Sequence, residues 1–209
     1  RQISLYPREG RDTDYNEDET RPVDVLEHDL RLRFDPQRFL LQAEDTMKFR
    51  LDMGTPTLRL RLHEDFTVES VSSLEGGQHL FFRIRHQDGL LVSLGALSGR
   101  IGEMTLIVRY SGLHQPAPVE RGVMQRTGAD SDIAGDEDVV LDPALVYSNR
   151  TAWYPQFNAD DFALARLRID LPPEYMALTG GQRTRTGLQG GRNIVGYVQD
   201  PPSKYITPA

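Results

Sequence analysis

The chain contains no cysteine, which excludes disulfides and thiolate metal ligands and leaves its redox compartment unmarked. No apolar run approaches the roughly 18 residues that a membrane helix needs, and no signal-type apolar region stands near the start. Basic residues are the minority, 24 against 31 acidic ones, for a formal net charge of −7. A nucleic-acid-binding module would show the opposite balance and a basic patch. Sustained 3.6-residue apolar periodicity is missing, so no amphipathic helix is expected. Tryptophan occurs once, at Trp153.

Signatures of local chemistry are scarce as well. There is no Gly-x-Ser-x-Gly elbow for a serine hydrolase. Gly95, Gly99 and Gly102 precede a strand instead of joining a strand to a helix, so they make no phosphate cradle. Two acidic blocks, Asp12 to Glu19 and Asp130 to Asp138, lack EF-hand spacing and its terminal Glu, and read as solvated loops. The five histidines are His28, His63, His79, His86 and His114; no two lie three to five residues apart, so no local zinc-ligand pair exists. His63-Glu64 opens like an HExxH motif, but Thr67 stands where the second histidine belongs and the segment reads as strand and turn. On spacing it is rejected as a metal site. Asn149-Arg150-Thr151 matches the glycosylation sequon, a pattern common by chance.

What is present is period two. Leu30, Leu32 and Phe34 alternate with Asp29, Arg31 and Arg33. Leu58, Leu60 and Leu62 alternate with Arg59 and Arg61, and Leu80, Phe82 and Ile84 with Phe81, Arg83 and Arg85. Leu106, Val108 and Tyr110 share one side of a strand. Ala163, Ala165, Leu167, Ile169 and Leu171 oppose Arg166, Arg168 and Asp170. Such alternation means one face buried and one wet. Further strands are expected over residues 39–53, 66–71, 90–94, 176–179 and 194–198, with Gly76-Gly77 marking a hairpin. Many short strands between turn signals predict an all-β antiparallel sandwich. Residues 1–22 read as a flexible polar leader with a short edge strand near Ile3 and Leu5. Residues 23–209 read as one sandwich domain with a mobile loop near 113–141. A chain that begins Arg1-Gln2 reads as a processed protein or an excised fragment. At this length it buries about 70% of its unfolded surface and needs no staples.

Two constellations stand out. Arg31/Arg33, Arg59/Arg61, Arg83/Arg85 and Arg166/Arg168 recur opposite the apolar positions. They fit either an anion-binding ladder or a solvated face whose arginines pair with Asp29, Glu44 or Asp170; the acidic balance favours the second. Trp153-Tyr154-Pro155 fits either a ligand platform or a corner whose Trp is buried with its N–H satisfied, and the anchor reading is preferred.

Five segments in order carry a resemblance: residues 23–32 (VDVLEHDLRL), 60–71 (LRLHEDFTVESV), 102–112 (GEMTLIVRYSG), the Trp153-Tyr154-Pro155 corner, and 162–181, which ends in Thr-Gly-Gly. Together they resemble the N-terminal domain of the aminopeptidase N-like gluzincin metallopeptidases over roughly residues 23–205. The resemblance implies a saddle-shaped, antiparallel β-sandwich lying against a thermolysin-like catalytic domain of the same parent chain. It implies that zinc sits in that catalytic domain, with no cofactor in this chain, and that peptide substrate is met through the parent. An extracytoplasmic or membrane-associated parent fits such a family, and the sequence leaves the compartment open. Tyr147, Asn149, Trp153, Tyr154 and Gln156 become the candidate wall of the peptide cleft, acting by packing and hydrogen bonding, and no residue here becomes catalytic. The sequence departs from the family where Val146 replaces the Gln or Glu that holds the substrate's amino terminus, so an inactive parent is a second form of the same reading. The alternative from another class is a self-contained sandwich module that binds a carbohydrate or a protein partner.

Overall fold

In the computed structural model, residues 23–84, 87–115, 117–118, 145–148, 151–157, 162–204 and 206–208 are described. The expected leader, its strand near Ile3 and Leu5, Asn149, Arg85 and most of the 113–141 loop lie outside them. The described elements are strands and 3₁₀ turns, without an α-helix.

Eight strands form the main sheet. Its order is β12 (Gln182–Gln189), β13 (Arg192–Ser203), β11 (Ala163–Leu171), β1 (Val23–Asp35), β2 (Leu40–Leu51), β8 (Gly102–Leu113), β4 (Phe66–Ser73) and β5 (Gly77–Gln78). A second sheet has the order β3 (Thr57–Arg61), β7 (Gly89–Ser93) and β6 (Phe81–Ile84). A small ladder pairs β9 (Ala117–Pro118) with β10 (Leu145–Val146). Described pairings are antiparallel except one: β1 and β11 run parallel, from Glu27↔Leu164 to Arg33↔Asp170. Parallel neighbours need a long crossover, and the chain between Asp35 and Ala163 supplies it.

The two sheets share one core. Leu30 and Leu32 of β1, Met47 and Phe49 of β2, Leu106 and Val108 of β8 and Leu167 and Ile169 of β11 join Leu58, Leu60, Leu90 and Val92 of the second sheet in a single buried cluster. This is the expected sandwich. Two bulges explain why its alternation changes parity. In β1 the register shifts between Val25 and Glu27, so odd positions point inward before it (Val23, Val25) and even ones after it (His28, Leu30, Leu32, Phe34). In β4 the shift between Val68 and Ser70 moves the buried set from Phe66 and Val68 to Val71 and Ser73.

The 39–53 segment, expected to supply one or two strands, is one strand, β2. One strand expectation is corrected. Residues 176–179 form no strand; the segment is tied down by side chains, with Tyr197 donating its hydroxyl to the Ala177 carbonyl at 2.9 Å and Asn193 reaching the Tyr175 carbonyl at 3.1 Å. The strand in that region is β12, an edge whose eight residues are all exposed. It has no buried face and therefore no apolar alternation. Gly190 and Gly191, at φ 59° and 75°, make the two-residue turn that joins it to β13.

The face of β6 is also reversed. Phe81 and Arg83 stand opposite the buried Val92 and Leu90, and Phe81 packs on the core. Leu80 and Phe82 are exposed. Arg83 therefore sits on the inner side, where it donates to the carbonyls of Leu62 (2.9 Å), His63 (2.7 Å) and Gly89 (3.4 Å). A guanidinium with several carbonyl acceptors is tolerated at a position that alternation alone assigns to water.

Gly112 on β8 admits the turn that enters β4: a Cβ there would meet the Asp65 carbonyl oxygen at 2.3 Å and the Phe66 Cα at 3.0 Å. A Cβ at Gly187 on β12 would meet nothing within 4 Å. Gly112→Ala is therefore expected to lower stability by about 1–3 kcal/mol, as overpacking does. Gly187→Ala is expected to be neutral or slightly stabilising. Urea unfolding of the two variants checks the contrast, and equal midpoints would remove the close-approach argument.

Candidate functional site at the aromatic corner

The segment 151–157 closes one end of the sandwich. It bridges to the second sheet where Arg61 and Gln156 exchange backbone hydrogen bonds at 2.6 and 2.9 Å, and where the His63 amide donates to the Ala152 carbonyl at 2.8 Å. Ala152 takes φ 46° while fully buried, a left-handed turn that is uncommon for a residue with a side chain.

The aromatic residues of the corner point inward. Trp153 is fully buried, and its indole N–H donates to the Ile206 carbonyl at 3.3 Å. Tyr147 and Tyr154 are 5% exposed. Trp153 lies edge-on to Tyr154 at 4.8 Å and to Tyr147 at 6.1 Å; Tyr147 also meets Phe34 at 4.9 Å. Burial pushes the Tyr147 hydroxyl up to about 12. It raises Tyr154 as well, assisted by the nearby Asp45 charge and opposed by hydrogen bonds from Gln156 and the Ile206 backbone. Of the five candidate wall residues, the structure gathers Tyr147, Trp153, Tyr154 and half-buried Gln156 at this corner. Asn149 lies outside the described residues.

Beside the corner the fold assembles a group that local spacing does not reveal. His63 and Asp65 stand in the turn between β3 and β4, and His114 follows β8. The pairing Phe66↔Gly112 brings the two chain ends together. His63 Nδ1 and His114 Nδ1 lie 3.2 and 3.3 Å from the same oxygen, Asp65 Oδ2. One ligand-type atom from each residue falls within 4.8 Å of the others. His114 is held by its amide's hydrogen bond to the Phe39 carbonyl at 2.9 Å and by ring contacts to Phe66 at 5.2 Å and Tyr147 at 6.0 Å. Burial lowers its pKa, against the raising effect of the Asp65 hydrogen bond. A search for ligands three to five residues apart misses this cluster, because Asp65 and His114 are 49 positions apart. The signal open to the sequence was the pairing of residues 66–71 with 105–112, which carries the flanking turns with it.

A second histidine–carboxylate pair is sealed in the core. His28 Nδ1 lies 2.8 Å from Asp45 Oδ2, and Asp45 is fully buried. Burial raises the Asp45 pKa, with His28 opposing it.

The outer face of the main sheet carries arginines, several of them paired with acids. Arg31 and Arg109 both reach Glu44, Arg166 pairs with Glu27, and Arg192 with Asp170. These pairs line or flank a shallow concavity of about 350 Å³ bordered by Arg31, Arg33, Glu44, Glu69, Arg109 and Arg168. With acids interleaved, the face fits a solvated surface better than an anion site.

Comparison of the whole fold finds the M1 zinc metallopeptidase of Deinococcus radiodurans, crystallised with a Tyr-Ser-Ala substrate, at a TM-score of 0.66 and 17% identity. The match covers 90% of this chain and 43% of that one. A second structure of the Deinococcus enzyme matches at the same TM-score and covers 42% of that chain. Native yeast LTA4 hydrolase matches at a TM-score of 0.65 and 15% identity, over 95% of this chain and 31% of that one. The present chain thus spans less than half the length of the proteins whose fold it shares. No family model and no curated protein matches the sequence. The likeness is one of fold, and it is the fold that the ordered segments of the sequence implied.

Because the folded pKa of Tyr147 lies above the ordinary value of 10, its contribution to stability is complete below pH 10 and is lost as pH rises toward 12. The full shift corresponds to roughly 2–3 kcal/mol. Urea midpoints measured from pH 8 to pH 12 are expected to fall above pH 10, and Tyr147→Phe is expected to shallow that fall. An unchanged slope in the variant would contradict the burial argument.

Proposed function

We propose that this chain is the non-catalytic N-terminal domain of a gluzincin-type zinc aminopeptidase, or of an inactive relative. In this reading it packs on the catalytic domain and walls the peptide-binding cleft. The observation that carries the reading is the asymmetry of coverage: the match takes in 90% of this chain but 43% of the Deinococcus enzyme. The sequence supports the same division of labour, since it holds no HExxH motif and the zinc of such a parent belongs in the remainder.

The surface also supports a partner domain. Strand β12 is an exposed edge with unused backbone groups. Near it Met176, Leu178 and Leu188 are each more than half exposed; Leu188 stands opposite Asn193, whose side chain holds the 173–175 carbonyls. In this reading half-buried Gln156 meets the cleft, braced from behind by Tyr147, Trp153 and Tyr154. A carbohydrate platform built on Trp153 would require that ring to be exposed, and its full burial speaks against that form of an independent binding module.

The test compares the isolated chain with the longer polypeptide encoded by its parent gene. The longer polypeptide is expected to continue into HExxH and a further Glu about one helix later. It should hydrolyse aminoacyl nitroanilides in a zinc-dependent manner if the parent is active. The isolated chain with added zinc should hydrolyse none. Zinc-dependent hydrolysis by the isolated chain, or a reading frame with no metallopeptidase-like region, would overturn the proposal.

A further inference from the structure

We propose that His63, Asp65 and His114 form a binding site for a divalent transition-metal ion of the zinc class, pinning the turn before β4 to the end of β8. The proposal does not rest on the peptidase reading, since it concerns residues of this chain alone.

The first argument is geometric. In a tetrahedral zinc site, metal–nitrogen distances of about 2.0–2.1 Å and metal–oxygen distances of about 2.0–2.2 Å place ligand atoms about 3.3–3.5 Å from one another. The two imidazole nitrogens lie 3.2 and 3.3 Å from Asp65 Oδ2. Two neutral imidazoles and one carboxylate make a donor set suited to zinc, with a fourth position left for water.

The second argument is about protons. The Asp65 amide donates to His63 Nδ1 at 3.2 Å, so that nitrogen presents its lone pair. The same nitrogen faces Asp65 Oδ2 at 3.2 Å. Nδ1 can accept from the amide or donate to the carboxylate, but a neutral ring cannot do both. With the amide bond made, the contact between Nδ1 and the carboxylate carries no proton; an ion that takes the Nδ1 lone pair in place of the amide proton joins that nitrogen to the carboxylate oxygen.

The third argument is access and support. His63 and Asp65 side chains are 28% and 43% exposed, while His114 is 4% exposed. An ion can therefore enter from water and end against a rigid wall. That wall is built before any ion arrives: Arg83 clamps the His63 carbonyl, Ala152 accepts the His63 amide, and Gly112 lets the Asp65 backbone approach β8.

The experiment uses the tag-free chain, stripped with EDTA and dialysed, then titrated with Zn²⁺ and separately with Co²⁺. Calorimetry is expected to show one zinc per chain, and bound cobalt to show the intense visible absorption of a four-coordinate ion. Thermal melting should rise with zinc and return with EDTA. Asp65→Asn and His63→Gln alter exposed side chains, so both variants are expected to keep the wild-type circular dichroism and to bind zinc at least tenfold more weakly. His79→Gln serves as a control and should bind as wild type does. No binding by the wild-type chain, or tight binding that persists in both Asp65→Asn and His63→Gln, would overturn the site.

Discussion

The parallel pairing of β1 with β11 is the constraint on which the rest of the molecule depends. On one side of it lie β2, β8, β4 and β5, and on the other β13 and β12, each group antiparallel within itself. An antiparallel sheet can grow by hairpins alone, but a parallel neighbour obliges the chain to leave the sheet and return in the same sense. Here the excursion between β1 and β11 includes the second sheet and ends in segment 151–157, immediately upstream of β11. That position explains why the corner touches both layers. It hands the chain from the second sheet, through the Arg61–Gln156 bridge, to the parallel strand at the centre of the first.

Magnitudes decide what secures this return. The arginine face has several ion pairs, but most of their side chains are half exposed, and exposed pairs contribute at most about 1 kcal/mol each. A fully buried tryptophan is of another order: truncating such a residue costs about 3–5 kcal/mol. The corner's rings, with Ile206 accepting the indole proton, therefore fix the end of the sandwich, and the outer charges keep the opposite surface hydrated. The rigidity of the corner in turn fixes His63 through the Ala152 carbonyl. A polar cluster at the rim inherits its precision from an apolar interior.

The same division sets what could be read in the sequence. Strands with one wet face and one dry face were legible: β1, β3, β8 and β11 all place the expected leucines, valines and alanines inside. Strand β12 was not, because an edge exposed on both faces carries no alternation to detect. Arg83 was assigned outward because period two alone cannot register that three carbonyls await a guanidinium at the end of the second sheet. Trp153 was legible as an anchor from its neighbours, Tyr154 and Pro155, in a chain with no other indole. The His63–Asp65–His114 group was not legible from spacing, since nearness there is produced by strand register. Once residues 66–73 are paired with 106–112, the juxtaposition follows without further information.

Two histidine–carboxylate groups in one small fold show how burial and stoichiometry divide identical residue types between structure and chemistry. His28 and Asp45 are both sealed in the core, one nitrogen against one oxygen at 2.8 Å. A proton between those two atoms satisfies that contact, while the other carboxylate oxygen, Asp45 Oδ1, has no hydrogen-bond partner among the described residues. Burial works against the charge on Asp45, so the pair is a local burden on stability that the surrounding apolar core outweighs. A pair of this kind favours the alignment that places Leu30 opposite Asp45, because a shift of one residue would turn the carboxylate out of the core. At the rim, two nitrogens converge on one oxygen, one of those nitrogens already accepts an amide proton, and two of the three side chains are open to solvent. A single proton cannot serve both nitrogens, whereas an ion that displaces the amide from His63 Nδ1 can take both nitrogens and the oxygen. The core pair is buried, and the rim group is open to solvent.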